Sequence, residues 1–90
     1  MREIEVKVVN PLGLHARAAA QLVRLAATFS SRITLHRNDN RGSANAKSIL
    51  GLLALAVSRG TLVRIEVDGP DEDEAIDAVE RMFGNGFGEL

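Results

Sequence analysis

The feature that most constrains this chain is how often its hydrophobic period changes within ninety residues. Residues 3–9 alternate (Glu3, Ile4, Glu5, Val6, Lys7, Val8, Val9), which puts Ile4, Val6 and Val8 on one face of a strand and charge on the other. Asn10, Pro11 and Gly13 break that pattern. From Ala16 a helical period takes over, with Ala18, Leu22, Leu25 and Phe29 in one stripe and Arg17, Gln21, Arg24 and Thr28 in the opposite, polar one. Ile33 and Leu35 then alternate with Arg32, Thr34 and His36, and Asn38, Asp39, Asn40 and Gly42 supply a hairpin turn into a short strand around Ser43 to Asn45.

From Ser48 to Val57 the chain reads SILGLLALAV, too apolar all round for a helix facing water, so it is either well buried or partly offered to a partner. Thr61 to Asp68 alternates again, and Gly69 and Pro70 end it. Asp71 to Glu74 open a last helix, where acidic residues complement the positive helix end, and its stripe is Ala75, Ile76, Val79, Met82 and Phe83. Gly84 closes it, and the tail NGFGEL is expected to be loose, tacked down at most by Phe87. The predicted order is β-α-β-β-α-β-α. It implies an α+β domain spanning residues 1–90, with a four-stranded antiparallel sheet carrying three helices on one face.

With 46% hydrophobic and 26% charged residues the chain has the balance of an ordinary folded domain. Trp and Tyr are absent and Phe occurs three times, so the core is aliphatic and the stacking platforms that grip single-stranded nucleic acid are largely missing. The absence of cysteine removes disulfides, thiolate metal sites and a thiol nucleophile. The start MREIEVKVVN carries charges where a secretory signal needs an apolar core, and no stretch reaches membrane-spanning length. The cytoplasm, with no membrane partner, is the expected setting. The net charge of −1 hides an asymmetry: residues 1–47 hold eight basic and three acidic side chains, residues 48–90 three and nine.

The chemistry lies in the basic half. Gly13, Leu14, His15, Ala16 and Arg17 place a histidine where a glycine-containing loop meets the first helix. Unpaired N–H groups and the positive end of the dipole make such a junction an anion site, and Arg17 adds a planar, permanently charged donor. A neutral imidazole nitrogen is nucleophilic near physiological pH, which suits reversible phosphoryl carriage. Taken alone, the same spacing also fits a polar loop residue followed by a solvated helix charge. His36 sits on a strand's solvent face and takes no role, and two separated histidines make no metal site. Ser48 precedes the apolar helical run, where a serine caps exposed N–H groups. A phosphoryl group there also adds charge to an apolar docking surface, and both roles can hold together.

Two motifs in register, GLHAR at 13–17 and AKSILGLL at 46–53, together with Gly69, Pro70, Glu72, Glu74 and Ala75 opening the last helix, resemble the histidine-containing phosphocarrier (HPr) family of the bacterial phosphotransferase system. The resemblance covers nearly the whole chain, apart from a slightly long hairpin. It implies an open-faced β-sandwich, a phosphoryl group placed on His15 by enzyme I with phosphoenolpyruvate as ultimate donor, and onward transfer to A-type enzyme II components of sugar permeases. It also implies that Arg17 acts beside the phosphohistidine and that Ser48 is the target of an ATP-dependent HPr kinase/phosphorylase. The partner surface maps onto Arg17, Ala20, Gln21, Val23, Arg24, Ile49, Leu50 and Leu53. No cofactor is implied, and a carrier whose docking face stays free is expected to be a monomer. Ala18 stands where the family usually has proline; alanine restores one N–H in the first turn and, as an excellent helix former, should not abolish the site.

Other readings stay open at this level. The LHRND and NGFGE segments resemble the nitrogen-branch (NPr-like) regulatory carrier, whereas Ser48 within AKSI resembles the sugar carrier, and the reading leans to the latter. A binding-only regulatory module fits the fold, but His15 and Arg17 argue against it. A nucleic-acid domain would use Arg17, Arg24, Arg32, Arg37 and Arg41 on phosphates, against the scarcity of aromatics and the acidic second half.

Overall fold

Alternation and helical period translate into the expected order. A computed structural model describes residues 1–90, with strand β1 (Arg2–Lys7), helix α1 (Ala16–Ala27), β2 (Arg32–Arg37), β3 (Ser43–Asn45), helix α2 (Ile49–Leu55), β4 (Leu62–Asp68) and helix α3 (Glu72–Gly84). The strands form one antiparallel sheet in the order β1-β4-β2-β3. Register places Ile4 opposite Ile65, Ile33 opposite Val67, and Leu35 opposite Ile65 on one side and Ala44 on the other. Ile33, Leu35, Val63, Ile65 and Val67 are fully enclosed on that face. The opposite face carries Glu3, Thr34, His36, Arg64 and Glu66, and Arg64 there donates to Glu3 at 3.1 Å and to Glu66 at 2.8 Å. One greasy and one charged face is what the period-two pattern encodes.

The three helices cover the apolar face, with α3 over β1 and β4, α2 beside β3, and α1 against both other helices. Ala18, Ala19, Leu22 and Ala26 are the buried residues of α1. Leu25 and Phe29, expected in that stripe, are only half-buried, and Phe29 lies beyond the helix end. Burying a single Leu22-sized side chain contributes about 1.5–3 kcal/mol.

Two segments depart from expectation. Helix α2 ends at Leu55, short of Val57, because Ala56 turns left-handed (φ 55°, ψ 48°) and because Arg37 Nη1 binds the Leu55 and Ala56 carbonyls at 2.9 Å each. A cation on the last carbonyls satisfies groups the helix leaves open. The tail is not loose. Residues Gly86–Gly88 form a 3-10 turn, and Phe87 is 4% exposed with its ring 5.0 Å from that of Phe83 in an edge-on arrangement. Phe87 takes φ 54°, and the edge-on aromatic contact is worth holding against that local strain.

The junction before α3 makes the fold sensitive to acid. The Ser31 hydroxyl, with the Ser30 and Ser31 amides, donates to Asp71, and these hydrogen bonds hold the Asp71 carboxyl below its ordinary value. A depressed folded-state value stabilises the protein fully above the ordinary carboxylate range, and that stabilisation is lost as pH falls through the depressed value. Chemical denaturation should therefore show stability falling below about pH 4. An Asp71→Asn protein should be less stable at neutral pH and show a shallower acid slope; an unchanged slope would remove Asp71 from the account.

Candidate functional site

The residues between β1 and α1 form a loop held at both ends. Leu14 N–H donates to the Val57 carbonyl at 2.9 Å, just past α2, and the Gly13 N–H reaches the Asn10 carbonyl at 3.2 Å. Gly13 takes φ +61°, and a Cβ there would lie 2.5 Å from the Val57 oxygen, so only glycine allows the loop this close to α2. The loop delivers His15 to the position immediately before α1, in extended conformation (φ −76°, ψ −177°). Its side chain makes no capping bond, and the first intrahelical bond is Ala19 N–H to the His15 carbonyl at 2.8 Å. The N–H groups of Ala16, Arg17 and Ala18 thus precede the helical ladder and no acidic side chain occupies the first turn.

His15 is partly exposed at a cleft of about 390 Å³ lined by Pro11, Leu12, His15, Arg17 and Glu89. Glu89 is the residue sequence reasoning missed. Its side chain is 7% exposed, and its carboxylate pairs with His15 Nε2, lies 3.4 Å from Arg17 Nη2, and accepts from Asn10 Nδ2 at 2.8 Å. Asn10 is fully enclosed and its Nδ2 also donates to the Gly13 carbonyl at 2.8 Å. The Asn10 hydrogen bond first, then those of His15 and the Arg17 charge, holds the Glu89 carboxyl below its ordinary value, so it is an anion at neutral pH. Arg17 remains 68% exposed, with most of its donor fork free. No local period marks either Asn10 or Glu89. The one available signal is a phenylalanine flanked by glycines just before an acidic residue, a tail able to turn back on itself.

The other expected residues lie on α1 and α2 or at the start of α2. Helices α1 and α2 pack against each other; on α2 Leu50 (78% exposed), Ile49 and Leu53 are exposed, and on α1 Ala20, Gln21 and Val23 are half-buried and Arg24 exposed. Ser48 caps α2, accepting from the Gly51 N–H at 3.1 Å, so its helix-capping role is seen directly. It sits at the end of α2 away from Val57 and the His15 loop, roughly 10 Å along a seven-residue helix. Arg37, one of five arginines available for phosphate contacts, is instead paired with Asp39 and the α2 carbonyls. No group of His, Asp and Glu side chains is arranged to hold a metal ion, and no helix is long and apolar enough to cross a membrane.

What the chain resembles agrees with this geometry. The family model described as the phosphotransferase-system HPr component phosphorylation site matches residues 2–85. The phosphocarrier protein HPr of Cupriavidus necator is 45% identical over 89 residues, covering 99% of this chain and 98% of that protein. The phosphocarrier protein NPr of Escherichia coli is 40% identical over 84 residues, covering 93% and 92%. Among solved structures, HPr of Thermoanaerobacter tengcongensis superposes with a TM-score of 0.93 at 41% identity, covering 100% of this chain and 99% of that one. A match spanning nearly every residue, on a fold with the same element order and a histidine heading its first helix, leaves one assignment: the chain belongs to the HPr family of phosphocarriers of the bacterial phosphotransferase system.

Proposed function

We propose that His15 is the residue that carries the phosphoryl group, receiving it from enzyme I and handing it to A-type enzyme II components that serve sugar uptake. The observation that supports this most is the position of His15 in the cleft: a ring free of any capping bond, beside the largely exposed fork of Arg17 and the unpaired N–H groups opening α1. The imidazole supplies the nucleophile, Arg17 and the helix end hold the phosphoryl oxygens, and the donor or acceptor protein brings the rest. Docking uses Arg17, Ala20, Gln21, Val23, Arg24, Ile49, Leu50 and Leu53, an apolar face rimmed with positive charge that suits acidic partners. In this reading the chain works in the cytoplasm as a monomer with that face free. Its higher identity to the HPr of Cupriavidus necator than to the NPr of Escherichia coli supports the sugar-linked branch. Phosphorylation of the exposed Ser48 by an ATP-dependent kinase is a switch, since it sets negative charge beside Ile49 and Leu50.

The test is incubation with phosphoenolpyruvate, magnesium and a bacterial enzyme I, followed by intact mass and peptide mapping. One acid-labile phosphoryl group on the His15 peptide is the expected result; no gain with several competent enzyme I proteins overturns the carrier reading and favours a binding-only module. A Ser48→Asp protein, which keeps a good helix cap, should show a raised KM in the same assay, and an unchanged KM removes the switch.

A further inference from the structure

Strand β2 turns Ile33, Leu35 and Arg37 toward the helices, two residues apart on one face. Ile33 and Leu35 are fully enclosed there, and Arg37 is the third inward residue, 16% exposed at its side chain and opposite enclosed Val63 in the ladder. A permanent charge so placed needs partners for its donors. The guanidinium finds them on two sides. Nε and Nη2 bind the two oxygens of Asp39 at 3.2 and 2.9 Å, a bidentate pair within the β2–β3 hairpin, and Nη1 donates to the Leu55 and Ala56 carbonyls at 2.9 Å each. Asp39 is itself fixed by the Arg41 N–H at 3.2 Å.

Those two carbonyls lead to the histidine loop. Ala56 takes a left-handed conformation (φ 55°, ψ 48°), which alanine adopts only where its surroundings impose it. The next residue, Val57, presents the carbonyl that accepts the Leu14 N–H at 2.9 Å. One guanidinium therefore sets the exit of α2, which supports the His15 loop and ends the helix that carries exposed Ile49, Leu50 and Leu53.

We propose that Arg37 is a positioning residue of the phosphocarrier: by bridging the hairpin to the last carbonyls of α2, it fixes the His15 loop relative to the α2 face, so that a partner docked on that face meets His15 in the geometry transfer needs. This rests on the carrier reading of His15. Arg37 touches neither the ring nor a phosphoryl group. Its effect runs through Ala56 and Val57 to Leu14 and so to the histidine next in sequence. Transfer between two proteins tolerates little misplacement, since a shift of about 1 Å made far from the chemistry can cost about a hundredfold in rate. Loosening this bridge therefore acts on the transfer step in the docked complex and leaves the docking itself in place. A lysine cannot take over the role, because one ammonium lacks the planar fork that binds both Asp39 oxygens while bridging two carbonyls.

Amide exchange and uptake kinetics test the proposal on the full chain. In Arg37→Gln, the Leu14 amide should exchange about tenfold faster relative to the β4 amides, which open only with the whole fold; that is the fold-change expected for losing about one charge-assisted hydrogen bond. With enzyme I, kcat for phosphoryl uptake should fall about tenfold while KM stays within about twofold of wild type, and Arg37→Lys should fall between the two. A purely structural role would speed the Leu14 and β4 amides together and leave kcat per folded molecule at its wild-type value. That result overturns the proposal, as does a change confined to KM. Should Arg37→Gln fail to fold, Asp39→Asn, which weakens the hold on the guanidinium from the hairpin side, carries the same two readouts with the same expected directions. A wild-type chain that accepts no phosphoryl group overturns the carrier reading, whereas unchanged relative Leu14 exchange, which needs no partner protein, overturns the role of Arg37 alone.

Discussion

A His15→Ala protein should keep its fold and accept no phosphoryl group, while Arg17→Ala should accept one about a hundredfold more slowly, the usual cost of removing one preorganised donor from developing negative charge. The fold is spared for a specific reason. The His15 side chain caps nothing, and the Glu89 carboxylate it faces retains Asn10 and Arg17 as partners, so the change in stability should stay within about 1 kcal/mol. Arg17 is 68% exposed and makes one long contact, so its loss also leaves the core untouched. Arg17→Lys separates charge from geometry: a lysine keeps the charge but lacks the planar fork, and an intermediate rate is the expected outcome. The measurement is a time course of phosphoryl uptake from enzyme I, with thermal melting alongside. Labelling of His15→Ala at the wild-type site would sink the assignment of His15, and an Arg17→Ala rate within twofold of wild type would remove Arg17 from the transfer step.

Most of this site was legible because it is local. Gly13, His15 and Arg17 lie within five residues, and the switch from alternation to helical period at Ala16 fixes the histidine at the helix start before any tertiary contact is considered. Ser48 was legible for the same reason, as a serine in front of an apolar helical run. What stayed hidden depends on partners far along the chain. Glu89 meets His15 across 74 residues and Asn10 across 79, and no period or cap signal in a six-residue tail encodes where its carboxylate will point. Arg37 reads as a surface charge after a strand, yet it ends α2 by binding carbonyls 18 and 19 residues away. Polar groups that close a fold from a distance leave no periodic trace; hydrophobic faces do. That difference explains why the element order was predictable while the fourth side of the cleft was not.

The second large effect belongs to Gly13. A Gly13→Val protein should lose about 2–5 kcal/mol, the sum of roughly 1–2 kcal/mol for a left-handed backbone and 1–3 kcal/mol for forced overpacking. The native φ of +61° is open to glycine, and the added Cβ would press on backbone, with Val57 O at 2.5 Å and Ser58 Cα at 2.8 Å, not on a side chain that can swing away. Relief requires the loop to withdraw from the end of α2, which breaks the Leu14 to Val57 hydrogen bond, or to flip φ, which turns the Gly13 carbonyl away from Asn10. Either route also moves His15, which lies two residues on. Thermal melting should fall by roughly 10 °C or more for a domain of this size. Phosphoryl uptake by the fraction still folded should fall with it. The paired loss sets this substitution apart from His15→Ala, which removes the chemistry and leaves stability alone. A Gly13→Val protein melting within about 3 °C of wild type, well under the shift one kcal/mol produces, would show that the loop has another conformation open to it and that the close approach to Val57 is not what places the histidine.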